Sequence, residues 1–244
     1  MKLLEFPHSH YCEKAKWALD HKGLAYKTVP IIPGLHMITV RYYAPDTSVP
    51  VLLDHKTVVQ GSSEIINYLE QHFPQHSLTP VEPEERQACL QLETAMDKEL
   101  GENIRRILYH RLLAYPTFVR YCFTHPMAAY KQWLFTLSYP ILRYKIYHNY
   151  VISDQAAKLA LHEFDEAMQT LARQLENRQY FIGNKFSRCD LTVASMLAFI
   201  FMPRQHPFPW IEIPDPEVRA FYARYQNHPV IVWANNIYLK HRQR

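Results

Sequence analysis

The sequence predicts an α/β domain followed by an all-helical one, and three observations carry that prediction. A short apolar run, Lys2–Phe6, leads through a polar loop into a segment with helical spacing. A hairpin pattern over residues 49–60 runs directly into a second amphipathic helix. From Glu84 onward, helical periodicity replaces any strand-like alternation.

The bulk numbers set the frame. The chain has 244 residues, enough for one large or two modest domains with a real core. Hydrophobic residues make up 48% and charged residues 20%, as in soluble globular proteins. Only 5 glycines occur, which argues against a glycine-rich phosphate loop. The formal charge of +4 is too small an excess to point to nucleic acid. The basic tail Lys240–Arg244 reads as a solvated end. Cys12, Cys89, Cys122 and Cys189 are widely spaced, which predicts free thiols in a reducing compartment rather than zinc ligands. The histidines show no H-E-x-x-H grouping, so no metal is expected. The start M-K-L-L-E-F-P lacks the apolar core of a signal peptide, and no run approaches the roughly 20 apolar residues of a membrane span. A cytoplasmic protein without a membrane partner is the expectation.

The first helix begins in F-P-H-S-H-Y-C-E-K-A-K-W-A-L, residues 6–19, with Ser9 as the N-cap candidate. The first turn of a helix has unpaired N–H groups and a partial positive charge, which stabilise a thiolate or carboxylate there. Ser9 can donate a hydrogen bond to such an anion, and Cys12 lies one turn further on. Equally, a serine before a helix is commonly only a cap, and a lone cysteine after it is commonly buried and inert. Gly23 reads as the C-cap after Lys22. Ala25–Ile32 is a second strand candidate, interrupted at Pro30, and a short helix is expected near Ile38–Tyr43. Val49–Leu53 and Thr57–Gln60 pair around the turn Asp54-His55-Lys56. Ser62 then caps a helix whose Ile65, Ile66, Leu69 and Phe73 share a face. Pro50 stands at a strand start, where proline is tolerated only at an edge or with an unusual peptide bond.

Residues 74–84 are rich in proline and polar groups, which divides the chain into a domain at 1–76, a linker at 77–84 and a helical domain at 85–244. Tyr109–Tyr150 carries eight tyrosines, three phenylalanines and Trp133, broken by Pro116, Pro126 and Pro140. Short or kinked helices with core aromatics are one reading, and an aromatic-walled ligand pocket is the other. Asp154–Glu176 is a clear amphipathic helix. Ser187 and Asp190 have capping-box spacing, with Phe186 placed to staple onto Leu191. The helix that follows is apolar nearly all round and is expected at the centre of the second domain. Met202–Pro216, with five prolines, is irregular, and Glu217–Tyr225 and Val230–Lys240 read as terminal helices.

Four placed motifs together resemble the cytosolic glutathione transferases: S-H-Y-C-E-K-A-K-W-A-L after the first strand, V-P-V-L before the hairpin, G-S-S-E-I-I-N-Y-L opening the next helix, and F-I-G-N-K-F-S-R-C-D-L-T-V-A-S in the second domain. The resemblance covers nearly the whole chain. It implies a thioredoxin-like domain of four mixed strands and three helices, then an all-α domain holding the acceptor substrate. It implies glutathione as co-substrate, a homodimer, and attack of the glutathione thiolate on an electrophilic, apolar or aromatic compound, the chemistry of detoxification.

Residue by residue, Ser9 matches the catalytic position of the serine and cysteine classes, and Cys12 falls where a redox relative has its second cysteine. Tyr11 follows in the active loop, where His10 replaces a common proline. Pro50 matches the family's cis-proline, which turns the Val49 backbone toward the cysteinyl part of glutathione. Ser62 matches the serine that takes the γ-glutamyl carboxylate. Gly61 stands where an acid or glutamine is usual, with Gln60 as a substitute, and Ser48 where a lysine often precedes V-P. His36, Lys14 or Arg41 is available for the glycyl carboxylate. The implied site is therefore Ser9 and Cys12 as catalytic candidates, with Tyr11, His36, Ser48, Val49, Pro50, Gly61 and Ser62 binding glutathione. Two alternatives stay open: a glutathione-dependent thiol/disulfide oxidoreductase using Cys12, and a non-catalytic binding module of the same fold.

Overall fold

A computed structural model describes residues 1–242. The N-terminal part is a four-stranded mixed sheet in the order β2-β1-β3-β4, formed by β1 (Lys2–Glu5), β2 (Lys27–Pro30), β3 (Val51–Asp54) and β4 (Thr57–Gln60). β1 runs parallel to β2 and antiparallel to β3, and β3 pairs with β4 in the register Val51↔Gln60 to Asp54↔Thr57. Three helices cover the sheet: α1 (His10–His21), α2 (His36–Tyr43) and α3 (Ser62–His72).

The alternation of strand side chains divides the faces. Leu3 and Leu52 pack with Ala15, Ala18, Ile65 and Leu69 of α1 and α3. Their neighbours Leu4 and Val51 point the other way, onto Val40 of α2. Pro30, which has no N–H to give, ends the edge strand β2. Gly23 follows α1 with φ +66°, and its N–H closes on the Asp20 carbonyl as a helix-terminating turn requires.

The rest of the chain is helical: α4 (Pro83–Met96), a π-helical turn (Asp97–Glu102), α5 (Asn103–Leu112), α6 (Pro116–Thr124), α7 (Ala129–Asn149), α8 (Asp154–Gln174), α9 (Arg188–Phe201), α10 (Pro216–Tyr225) and α11 (Pro229–His241). The apolar helix α9 is the centre, packed on α1, α4 and α11. Core residues run from Leu3 and Trp17 through to Leu191 and Tyr238 in one cluster, so the sheet domain and the helical domain share a core. Among the described residues no helix is long and apolar enough to cross a membrane.

Three expectations need correction. Pro140 does not break the chain: α7 runs through it for 21 residues, with Pro116 at the start of α6 and Pro126 in the connection after it. Ser62 is the first helical residue of α3, and the N-cap is Gly61 at φ +96°, a conformation glycine adopts without a Cβ penalty. The basic tail is not simply a solvated end: Lys240 is exposed, but Arg242 is buried and ion-paired to Glu13 and Asp20 of α1. Gln243 and Arg244 lie outside the described residues.

The capping box is formed as the spacing predicts. Asp190 is fully buried and accepts from the Ser187 N–H, the Ser187 hydroxyl and the Phe181 N–H, at 2.9, 2.7 and 2.9 Å. It therefore ties the preceding loop to the central helix as well as capping it. Phe186 stacks on the Trp17 and His241 rings. Asp190→Ala strands two buried N–H groups and is expected to cost about 2 kcal/mol in urea unfolding. A change below about 0.5 kcal/mol would show these bonds to be dispensable.

Candidate active site

The site sits where the loop before α1, the segment before β3 and the helical domain meet. Phe6, Ser9, Tyr11, His36, Ser48 and Val49 line one cavity of about 400 Å³. Its far wall comes from α5, α6, α7 and the irregular segment after α9, through Tyr109, Phe123, Ile146, Phe208, Trp210 and Tyr150. The aromatic-rich stretch thus divides between the two readings open for it. Tyr109, Phe118, Phe123 and Tyr150 face the cavity, while Tyr130, Trp133 and Tyr144 are exposed on the outside of α7.

Ser9 is half-buried and caps α1, its Oγ accepting from the Cys12 N–H at 3.4 Å. An oxygen engaged as an acceptor keeps its own hydrogen to donate, so the hydroxyl can serve an anion at the helix N-terminus. The Val49–Pro50 peptide bond is cis, as the resemblance implies. Gln60 anchors the segment before it, donating to the Ser48 carbonyl at 2.9 Å and accepting from the Asp46 N–H at 3.3 Å. Gln60 is thereby committed to the loop rather than standing in for a side chain at position 61. The Gly61 N–H closes on the Pro50 carbonyl at 2.9 Å, which brings the N-terminus of α3, with Ser62, up behind the cis bond.

Cys12 does not share this setting. It is fully buried and absent from the cavity lining, and burial pushes its thiol up to about 12. A thiol so buried and protonated is a poor nucleophile at neutral pH, which counts against the oxidoreductase alternative. Lys14 is also corrected: its ammonium is buried among Glu93, Asp97 and Ser63, at 2.8, 2.7 and 2.9 Å. Arg41 is exposed on the outer face of α2 and bonds the Pro45 carbonyl. His36 lines the cavity, but burial holds its imidazole down to about 4, so it offers no positive charge at neutral pH.

Three charged side chains line the cavity, Asp46, Arg105 and Lys145, and the sequence singled out none of them for the site. Arg105 of α5 lines the cavity with its guanidinium 4.2 Å from the Tyr150 ring centroid and 6.0 Å from that of Tyr11. Tyr11 is held by its hydroxyl, which donates to the Asp97 carbonyl at 2.6 Å in the π-helical turn. A Cβ at Gly101 would lie 2.5 Å from that hydroxyl, so the close approach needs glycine there. His8, His10 and Tyr222 also line the cavity. The only sequence signal for the two histidines was that they flank Ser9.

A mixed four-stranded sheet with a cis-proline, a capping serine at the first helix, and a facing helical domain together define the glutathione transferase architecture. Comparison with known proteins agrees. Residues 3–77 match the model for the N-terminal domain of glutathione S-transferases, and residues 131–229 the model for their C-terminal domain. The chain belongs to the glutathione S-transferase family. A curated relative, a stringent starvation protein A homolog of Pasteurella multocida, is 33% identical over 73 residues; the match spans 30% of this chain and about a third, 34%, of that protein. A glutathione S-transferase from Methylobacillus flagellatus, solved with glutathione bound, shares the fold with a TM-score of 0.62 at 17% identity, covering 98% of this chain and 94% of the other. A beta-etherase from Sphingobium sp. strain SYK-6 does so with a TM-score of 0.63 at 18% identity, covering 96% and 98%.

Proposed function

We propose that this chain is a glutathione transferase. Glutathione would lie along Ser48, Val49 and Pro50, with its γ-glutamyl carboxylate at Ser62 on the N-terminus of α3 and its sulfur at Ser9. The observation that carries the reading is the position of Ser9: a half-buried capping hydroxyl on the wall of an aromatic cavity large enough for a second reactant. The solved relative with bound glutathione supports the co-substrate.

The chemistry asked of the protein is modest. The glutathione thiol, ordinarily near pKa ~8.5, releases its proton to solvent. The thiolate is held by the Ser9 hydroxyl and the α1 N-terminus. The positive charge of Arg105, 6.0 Å from the Tyr11 ring centroid, adds to that field. The sulfur then forms a bond to carbon of an electrophile in the cavity, which expels a leaving group or takes up a proton. Proximity supplies most of the acceleration. A homodimer, measurable by sedimentation, belongs to the same proposal.

Calorimetric titration with reduced glutathione tests the binding half: wild type should bind, and Ser62→Ala should bind more weakly. Ser9→Ala should lower kcat/KM for conjugation at least about tenfold, or ~1.4 kcal/mol of transition-state stabilisation. Unchanged conjugation would remove Ser9 from the chemistry. The absence of a side chain at Gly61 favours a second reading, a non-catalytic binding module, and failure of wild type to bind glutathione at millimolar concentration would select it.

A further inference from the structure

The helical wall of the cavity carries a cation without a counter-charge. Arg105 lines the cavity from α5, half-buried, with its guanidinium nitrogens accessible. Among the described residues no carboxylate pairs with it and no acceptor takes its N–H groups; its charge is met by the Tyr150 and Tyr11 rings. Glu102, one turn earlier, forms no ion pair with it. The neighbouring Arg106, by contrast, is committed: it donates to the Tyr150 carbonyl at 3.3 Å and to Asn103 Oδ1 at 3.2 Å. That bond holds Tyr150 in place beneath Arg105. A ring face attracts the charge but leaves the N–H groups of the guanidinium unsatisfied. A partly desolvated arginine in that state is short of an anion that can accept from it.

A second cation stands on the same wall. Lys145 of α7 is exposed at the rim of the cavity and also forms no ion pair among the described residues. α7 contains no aspartate or glutamate that could neutralise it. The acid in the lining, Asp46, belongs to the sheet domain, in the loop before β3. It pairs with neither cation, and its oxygens accept from the Thr47 N–H at 2.6 Å and the Ser48 hydroxyl at 3.3 Å. The charges are thus segregated. The wall left to glutathione holds the committed acid, and the wall left to the second reactant holds two open cations among the rings of Tyr109, Phe123, Phe208 and Trp210.

We propose that Arg105, assisted by Lys145 at the rim, binds a carboxylate carried by the second reactant, so that the cavity takes an aromatic acid in preference to a neutral arene. A carboxylate is planar and accepts from two parallel N–H groups of a guanidinium, which a neutral ester cannot match in charge. The inference deepens the transferase reading and rests on it for which wall faces the second reactant; binding of the acid itself needs no glutathione.

The test is calorimetric titration of the full-length chain with three probes of one ring size: naphthoate, its methyl ester, and naphthylmethylammonium. Naphthoate should bind at least about tenfold more tightly than the ester at low salt. Arg105→Gln should remove most of that preference. Lys145→Gln should reduce it less, and by an amount that added salt erases, because this charge is exposed. Should Arg105→Gln fail to fold, Arg105→Lys, which keeps the charge and loses the fork, and the exposed Lys145 variant carry the test. Equal affinity for acid and ester, a preference that survives in folded Arg105→Gln, tighter binding of the ammonium, or no binding of naphthoate at millimolar concentration would each overturn the proposal. Naphthoate should also bind in the presence of saturating glutathione. Its displacement would put a glutathione carboxylate at Arg105 and overturn the assignment to the second reactant. Glutathione alone is titrated separately, so a chain that binds naphthoate through Arg105 but not glutathione rejects the transferase reading and keeps this site.

Discussion

Replacing Glu93 by alanine should cost about 3–5 kcal/mol of stability, read as a shift of the urea midpoint at pH 7. Glu93, on α4, is 2% exposed and bridges two cations, Lys14 of α1 at 2.8 Å and Arg188 at the start of α9. Arg188 also donates to Asn67 of α3 at 2.7 Å and to the Ser63 carbonyl at 3.2 Å. One carboxylate thus joins four helices from both domains. Its removal leaves Lys14 with Asp97 as its one carboxylate beside the Ser63 hydroxyl, and Arg188 with neutral partners only, both out of reach of water. A loss under about 1 kcal/mol would mean that water enters and solvates them. The network also has a pH signature. Burial by itself raises the Glu93 carboxyl, but the Lys14 and Arg188 charges more than reverse it, and it is held below the ordinary range. The group's contribution is therefore complete above the unfolded carboxyl value of about 4.3 and is lost as pH falls through the lower folded value. Asp97, with one cation and no arginine, goes the other way: burial dominates and its carboxyl is raised.

Arg242→Ala should cost a similar amount, about 3–5 kcal/mol. The guanidinium meets Glu13 at 2.7 Å and Asp20 at 2.6 Å, and Glu13 is completely buried on α1. Arg242 also lies 5.7 Å from the Trp17 ring centroid, and Trp17 donates to the His241 carbonyl at 3.2 Å. The loss should therefore appear in Trp17 fluorescence as well as in melting temperature. Arg242→Lys keeps the charge but not the fork that reaches both acids, and should recover only part of the loss. Lys56→Ala, in the exposed β3–β4 turn, should stay within about 0.5 kcal/mol and serves as the control. A variant at residue 242 as stable as that control would mean that Glu13 finds another partner.

The legible parts of this molecule were those governed by local rules. Ser9 before α1, the box of Ser187 and Asp190, and the hairpin around His55 are short-range patterns, and each formed where its spacing placed it. The cis bond at Pro50 was legible through the resemblance. Pairings set by tertiary contact were not. Nothing near Lys14 in sequence indicates that its partners are 79 and 83 residues away at Glu93 and Asp97, and so its charge was offered to the ligand when the fold had already used it. Arg242, read as part of a solvated end, likewise has its partners far away in sequence, at Glu13 and Asp20. Cys12 shows the other side: position favoured reactivity, but apolar burial, a property of the assembled core, removed it. His8 and His10 were visible as neighbours of Ser9, yet the backbone each meets, at Cys122 and Gly101, lies more than 90 residues distant.

The Glu13–Arg242 pair bears on how the chain is made. Its members are 229 residues apart, so during synthesis α1 emerges from the ribosome long before the group that neutralises its buried acid. Until then Glu13 must stay hydrated, and the face of α1 that carries Trp17 has neither Tyr238 nor the His241 carbonyl to pack against. A nascent chain halted before α11 should therefore be recognised by chaperones and cut by proteases at α1, even though its sheet is fully translated.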